Sequence, residues 1–146
     1  MCMSCLRFFE REAIMASAMY DTGRNAFARG DFSWKSGVGT WRCSLIDSTY
    51  TGSAANSLYS DVSAKLVGTT GTMTPADPVA GVCDATDQTF SAVTGNAVTQ
   101  VVIYVLGTVN SLLNPLMCWI EFSSVTPNGG DITLQWDNGT AKILKL

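Results

Sequence analysis

Histidine is absent from the 146 residues of this chain. The chain therefore lacks the side chain that most often serves as general base or metal ligand, and every Ser-His-Asp or Cys-His catalytic arrangement is excluded. A zinc ion would have to be held by cysteine alone. We expect neither a metal ion nor another cofactor, and we predict a protein that is not an enzyme.

Charged residues are scarce. They make up 14% of the chain, and nine Lys and Arg against 12 Asp and Glu give a net charge of −3, whereas about a quarter of the residues in soluble proteins are charged. The basic residues are scattered, although nucleic-acid binding needs Lys and Arg gathered against phosphates. No nucleic-acid partner is expected. A small domain with so little charge either buries its surface against partners or presents a neutral surface.

No charged residue occurs between positions 88 and 120, which raises the question of a membrane. A spanning helix needs about 20 predominantly apolar residues, but glycines and an Asn-Pro pair interrupt this run. Strands that are buried on both faces also read as continuous apolar runs. The run therefore predicts two buried strands, 98–106 and 116–122, joined by a loop, and no membrane partner is expected.

The five cysteines are an odd number. Without a recognisable secretory signal, they are expected to be free thiols rather than a disulfide framework. Cys43 and Cys118 lie in apolar runs, where a free cysteine behaves as a small hydrophobe. Cys2 and Cys5 form a C-x-x-C motif, but no strand precedes it, as a thioredoxin-like redox motif would require.

Residues 1–14 differ in character from the rest of the chain. Their charges interrupt any apolar core, so a signal peptide is not predicted. Glu10-Arg11-Glu12 can be encoded by GAG-AGG-GAG, a purine run like a bacterial ribosome-binding site, just upstream of Met15. We predict that translation starts at Met15, that 1–14 is a non-native extension, and that 15–146 is a single β-rich domain. A genuine flexible arm is the alternative.

A short helix is predicted near the start of this domain. Ser17 is a candidate N-cap, and Tyr20, Gly23 and Phe27 fall on one stripe of a helix. Gly30 then ends the helix as its C-terminal cap.

From residue 31 onward the apolar period shifts toward two. Trp41, Cys43 and Leu45 alternate with polar residues, as in a half-buried strand. The further predicted elements are a loop at 47–56, a helical turn at 57–62, a loop or sheet edge at 68–78, and short strands at 65–67, 79–83 and 89–93. About seven strands and one helix predict a mainly β fold, a single antiparallel β-sandwich or barrel with one short N-terminal helix.

The C-terminal residues contain the clearest local signal. Asn138-Gly139 supplies the two positive-φ positions of a type I′ hairpin turn. The turn predicts a hairpin whose second strand closes the chain, a device that builds a sheet and carries no chemistry. The facing pairs would be Trp136 with Ala141, Leu134 with Ile143, and Ile132 with Lys145.

Two acidic motifs could carry chemistry, and in each a structural interpretation is preferred. Asp21-Thr22-Gly23 is the tripeptide of aspartic proteases, but it falls in the predicted helix rather than on a loop after a strand. Asp84 and Asp87 could contribute to a calcium site, but such cages usually draw more acids from one loop. A solvated turn is therefore favoured there.

The four tryptophans invite a sugar-binding interpretation, because aromatic faces stack on sugar rings. For Trp119 and Trp136, which lie in strand patterns, core packing is preferred. Trp34 follows Phe32 in a polar context and is a candidate for exposure at an interface. The full set of candidate interface residues is Phe32, Trp34, Tyr50 and Leu146.

The order of these pieces resembles a known family. A helix begins near Met15 with Met-Ala-Ser-Ala-Met-Tyr-Asp, a Phe and a Gly close it, and Trp34 follows. The chain ends in Val-Thr-Pro-Asn-Gly-Gly-Asp-Ile-Thr, then Trp-Asp-Asn-Gly, then Lys-Ile-Leu-Lys-Leu. This pattern is similar to a family of small virion structural proteins encoded among the head and tail genes of tailed bacteriophages. The similarity is specific over 125–146, whereas Gly23 departs from it, because a better helix former is expected there.

The resemblance implies an assembly role without catalysis. The first expectation is a capsid decoration, or cement, protein on the head shell of a virion assembled in the bacterial host cytoplasm. Its expected partners are the major capsid protein or other virion proteins, and it is expected to form a homo-oligomer, with a trimer as one option. The alternative is a receptor- or glycan-binding module of a tail or fibre, with exposed Trp34 or Tyr50 lining a groove.

Overall fold

A five-stranded antiparallel sheet lies at the centre of the protein, whose computed structural model describes residues 6–7, 17–37, 40–139 and 142–146. One helix, α1 (Asp21–Arg29), and two 3₁₀ turns, Tyr59–Asp61 and Ser63–Lys65, accompany the strands. The strands in chain order are β1 (Leu6–Arg7), β2 (Ala18–Met19), β3 (Trp41–Asp47), β4 (Leu66–Thr72), β5 (Val82–Cys83), β6 (Gln88–Phe90), β7 (Val98–Val105), β8 (Thr108–Val109), β9 (Leu112–Leu113), β10 (Leu116–Val125), β11 (Ile132–Trp136) and β12 (Leu144–Lys145).

The described strands form two larger and two smaller sheets. The central sheet has the order β2-β10-β7-β3-β4, and a second sheet has the order β1-β11-β6. Two-stranded sheets join β5 to β12 and β8 to β9. All of these pairings are antiparallel. The predicted fold class, mainly β and antiparallel with one short helix near the start, is confirmed.

Strands β7 and β10 are the two strands that the uncharged run predicts. They pair with each other, and β7 also pairs with β3. Seven of the eight residues of β7 are buried, because both faces of the central sheet are covered. This double burial explains why the sequence shows no polar alternation there. The predicted joining loop contains the short β8–β9 hairpin.

The main core lies between the two larger sheets. Cys43, Val101 and Ile103 of the central sheet belong to the same buried cluster as Phe90 and Leu134 of the second sheet. Burying apolar area between two sheets is the principal stabilising contribution in such a fold.

The opposite face of the central sheet carries a smaller cluster. Its buried members are Tyr20, Ile46, Val62, Val102, Tyr104, Leu116 and Trp119. Residues 48–62, named here the covering segment, close this cluster, and Tyr50, Ala54 and Tyr59 pack against it. The sequence predicted this segment as a loop followed by a helical turn, which agrees with the first 3₁₀ turn.

Helix α1 begins later than predicted. Its first residue is Asp21 and its N-cap is Tyr20, without a side-chain cap. The predicted cap, Ser17, instead accepts a hydrogen bond on Oγ from the backbone N–H of Glu121 at 3.3 Å. The prediction failed because β2 pairs with β10 immediately before the helix. Gly30 ends the helix in the left-handed conformation with φ 77°, as predicted.

The prediction that the last two strands form a hairpin with each other is wrong. Strand β11 pairs with β1 on one edge and with β6 on the other. Strand β12 pairs with β5, where Leu144 faces Cys83. The partners are therefore distant in sequence, because the neighbours of β11 were selected by burial in the main core rather than by the nearest turn.

The turn geometry agrees with this pairing. Neither Asn138 nor Gly139 has the positive φ that a type I′ turn needs. The backbone N–H of Trp136 donates to Asp87 Oδ1 at 2.9 Å, so β11 ends on a side-chain acceptor. The predicted facing residue Ala141 lies outside the described residues.

A two-residue turn with positive φ at both positions occurs elsewhere, at Ala80-Gly81. Their φ angles are 52° and 76°. The N–H of Val79 donates to the carbonyl of Val82 at 3.3 Å, and the reverse bond is 3.0 Å long. This turn is the tip of an irregular hairpin, residues 74–86, that leaves the end of β4.

Strand β4 is longer than predicted. The sequence predicted a strand at 65–67 and a loop or edge beyond it, whereas β4 continues to Thr72 at the edge of the central sheet. A register shift against β3 accommodates Gly68, whose φ is 74°. Such a bulge lets a glycine- and threonine-rich run stay in the sheet.

Little of the N-terminal prediction falls on described residues. Leu6–Arg7 form β1, while the predicted start at Met15 and the C-x-x-C motif lie outside the described residues. In the described part of the chain, no helix has the length and apolar character needed to cross a membrane.

Candidate functional site

The acidic bend at 84–87 serves to hold the fold together. Asp84 Oδ2 accepts a hydrogen bond from Lys142 Nζ at 2.5 Å, and Asp84 Oδ1 accepts one from the Ala85 N–H at 2.9 Å. Asp87 Oδ1 accepts a hydrogen bond from the backbone N–H of Trp136. Among the described residues, no group of three or more His, Cys, Asp or Glu side chains could hold a metal ion.

The aspartic-protease tripeptide lies in the first turn of α1, as the helical interpretation predicts. Asp21 forms an ion pair with Arg24 at the surface. Thr22 and Gly23 are buried by the helix packing. An acid in the first turn is favoured by the helix dipole, so a structural role accounts for Asp21.

Phe32 and Trp34 are buried, so their prediction as exposed interface residues is wrong. Both pack on Trp41. The ring centroid of Trp41 lies 5.3 Å from that of Phe32 and 4.8 Å from that of Trp34. The indole N–H of Trp34 also donates to the Asp84 carbonyl at 2.9 Å. The polar neighbours in the sequence misled the prediction, because they face solvent while the aromatic rings face the core.

Three of the four tryptophans use the indole N–H to fasten a loop. Besides Trp34, Trp41 donates to the Ser33 carbonyl at 3.1 Å and Trp136 donates to the Thr86 carbonyl at 2.9 Å. The core role predicted for Trp136 is confirmed. Trp119 is also buried, but its indole N–H has no hydrogen-bond partner.

The three described thiols are also buried. Burial raises the pKa of Cys43 to about 12 and the pKa of Cys83 to about 11, and it raises the pKa of Cys118 as well. A thiol that stays protonated is a poor nucleophile and metal ligand. These cysteines therefore act as apolar core residues, as the sequence predicts for two of them.

Tyr50 is only half-buried, yet its hydroxyl is engaged. It donates to Asn56 Oδ1 at 2.8 Å and lies 3.2 Å from the Tyr20 hydroxyl. Its backbone carbonyl accepts a hydrogen bond from Gln100 Nε2 at 2.7 Å. Tyr50 thus fastens the covering segment to the central sheet.

Four large apolar side chains are exposed in segments that adjoin or leave one end of the central sheet. We name this set the apolar end, and its exposed fractions are 75% for Val79, 45% for Leu106, 60% for Leu113 and 57% for Leu146. Leu146 is the one candidate interface residue from the sequence that belongs to it. The other three were missed, although each lies beside a turn, where an apolar residue has little to pack against.

The apolar end consists of two pairs, Leu106 with Leu113 and Val79 with Leu146. Leu106 donates its N–H to the Thr40 carbonyl at 2.7 Å, where β3 begins and β7 ends. Leu113 lies in the adjoining β8–β9 hairpin. Val79 lies at the tip of the 74–86 hairpin, which starts at this same end, and Leu146 donates its N–H to the Gly81 carbonyl at 2.9 Å.

Comparison of the chain with protein-family models, with curated proteins and with solved structures found no match. The functional assignment therefore depends on the residues themselves.

Proposed function

We propose that the protein is a non-enzymatic structural component of a bacteriophage virion, and specifically a decoration protein that binds the head shell through the apolar end. The observation that carries this proposal is the exposure of four large apolar side chains in segments that adjoin or leave one end of the central sheet. The resemblance of residues 125–146 to phage virion proteins supports the virion assignment.

The energetics suit a protein that binds in many copies. Fully burying one Val or Leu side chain contributes about 1.5–3 kcal/mol, and the four side chains of the apolar end are already partly covered. One copy would therefore bind weakly. An oligomer that bridges neighbouring shell subunits adds such contacts through multivalency, which supports a homo-oligomer such as a trimer.

The acidic bend and the described cysteines, which were considered above for chemistry, have structural roles. The acids of the 84–87 bend are hydrogen-bonded, and the described thiols are buried. This arrangement supports an assembly role over catalysis. A receptor- or glycan-binding module has less support, because Trp34 is buried and the Tyr50 hydroxyl is engaged within the covering segment.

The test is a binding assay on particles that lack this protein. Purified wild-type protein and the Leu113→Lys and Val79→Lys variants are added to such particles, and the bound fraction is measured by sedimentation. We expect wild type to bind and to raise the temperature at which the shell ruptures. Each lysine variant should bind at least about tenfold more weakly, because a charge would have to be buried in the contact.

Leu66→Lys is the matched control. Leu66 is also exposed, but it pairs with Ile46 at the opposite end of β3. This variant should bind like wild type. Unchanged rupture temperature on adding wild type, or equal binding of all four proteins, would rule out shell binding through the apolar end.

A further inference from the structure

On the face of the central sheet that carries the smaller cluster, two buried polar atoms have no hydrogen-bond partner. They are Trp119 Nε1 and Gln100 Oε1, the two buried, unpaired side-chain atoms among the described residues. Trp119 is 6% exposed and Gln100 is 3% exposed. Because buried polar groups in native proteins are almost always paired, each such atom calls for a partner.

The sheet register places these two side chains side by side. Trp119 faces Val102 and Glu121 faces Gln100 across the β10–β7 pair. Facing residues of an antiparallel pair project to the same face, so Trp119 and Gln100 are diagonal neighbours, with Cα atoms about 7–8 Å apart. Both side chains therefore extend toward the same part of the covering segment, residues 50–52.

The covering segment encloses both side chains. Gln100 Nε2 donates to the Tyr50 carbonyl. A methyl group on Gly52 would lie 2.5 Å from Trp119 Nε1, so the backbone at this glycine rests against the indole. The neighbouring hydroxyls of Tyr20 and Tyr50 are already hydrogen-bonded to each other.

The two groups still without a partner are one hydrogen-bond donor, Trp119 Nε1, and one acceptor, Gln100 Oε1. An indole N–H can only donate, and a free amide oxygen can only accept. A group that bridges them must accept one hydrogen bond and donate another, which a hydroxyl group or a water molecule does. Because the covering segment closes over the site, a group as small as water fits best.

We propose that one ordered water molecule bridges Trp119 and Gln100 beneath the covering segment. Its oxygen accepts a hydrogen bond from Trp119 Nε1, and it donates one to Gln100 Oε1. The Tyr50 carbonyl, which already accepts from Gln100 Nε2, has a second lone pair for the other water proton. Buried waters typically make about three such hydrogen bonds, and this one joins β7, β10 and the covering segment.

The first test is NMR on protein labelled with ¹⁵N-tryptophan. The indole signals are assigned with Trp→Phe variants, including Trp119→Phe, and magnetisation transfer from long-lived water is measured. We expect a cross-peak between bound water and the Trp119 indole proton. The Trp136 indole, which donates to a carbonyl, is the internal control and should show none.

Gln100→Leu and Gln100→Met remove the acceptor while retaining an apolar side chain. We expect the Trp119 water cross-peak to be lost in both, while the other three indole signals keep their positions. Two variants are used because one of them could fail to fold. Persistence of the cross-peak in the folded variant would overturn the assignment of Gln100 as the acceptor.

Other outcomes would overturn the proposal with wild type alone. One is the absence of a water cross-peak at Trp119. Another is a direct hydrogen bond from Trp119 Nε1 to Gln100 Oε1 in a crystal structure that resolves ordered water. A third is a saturable shift of the Trp119 indole signal on adding methyl glucoside, which would assign the site to a sugar hydroxyl.

Discussion

A methyl group on Gly23 would lie 2.2 Å from the carbonyl oxygen of Met117. Helix α1 therefore touches the backbone of β10 directly at this point. The same Met117 carbonyl accepts the N–H of Tyr20 at 3.0 Å, which fixes the start of the helix on the strand. The glycine that looks out of place in a helix is explained by this close approach.

Gly23→Ala should destabilise the protein. Helix propensity alone predicts a gain of about 1 kcal/mol, but the added methyl group would force the helix off β10, and overpacking of this kind costs about 1–3 kcal/mol or more. Urea unfolding of wild type and variant shows whether the substitution lowers or raises the free energy of unfolding. Asn25→Ala, at an exposed position of the same helix, should be neutral or slightly stabilising. A stabilised Gly23→Ala variant would contradict the contact.

Ala80→Gly should stabilise the protein. Ala80 is exposed and has a φ of 52°, where a Cβ atom is strained and glycine is not. We expect a gain of about 1 kcal/mol, measured by urea unfolding. Ala64→Gly is the control, because Ala64 lies exposed in a 3₁₀ turn without positive φ. The Ala64→Gly variant should be less stable than wild type. Equal effects at both positions would argue against strain at Ala80.

Asp47 should make stability depend on pH in acid. The hydroxyl of Thr49 donates to Asp47 Oδ1 at 2.5 Å, and this bond is the largest cause that lowers the pKa of Asp47. A carboxyl whose pKa is lower in the folded state stabilises the fold above its unfolded pKa of about 3.9. That contribution is lost as the pH falls through the folded pKa.

Asp47→Asn should therefore lower the free energy of unfolding at neutral pH and reduce its decline in acid. The measurement is a series of urea unfolding curves between about pH 7 and pH 3. Thr49→Val removes the same hydrogen bond from the other partner and should reproduce part of the effect. Identical acid profiles for wild type and Asp47→Asn would show that this carboxyl is not coupled to folding.

The described thiols should be unreactive in the folded protein. All three are buried, and burial raises the pKa of each. In a Cys2→Ser/Cys5→Ser variant, iodoacetamide at neutral pH should add no label without denaturant and three labels in urea, as counted by intact mass. Rapid labelling of the folded variant would mean that the core around Cys43, Cys83 or Cys118 opens readily.

Much of the local structure follows from the sequence alone. The uncharged run determined β7 and β10, because a strand buried on both faces needs no polar alternation. Gly30 determined the end of α1, because glycine adopts the left-handed conformation at low cost. Cys43 and Cys118 were recognisable as core residues from the apolar residues around them.

Only the tertiary structure decided which strands pair and which aromatic rings are covered. The Asn138-Gly139 dipeptide favours a hairpin locally, but β11 pairs with β1 and β6, and β12 with β5. Trp34 has polar neighbours in the sequence but lies against Trp41. The preference of a dipeptide for one turn is local and small. Strand pairing and burial depend on apolar surface contributed by residues far apart in the chain, and the free energy of burying that surface is large enough to decide the fold.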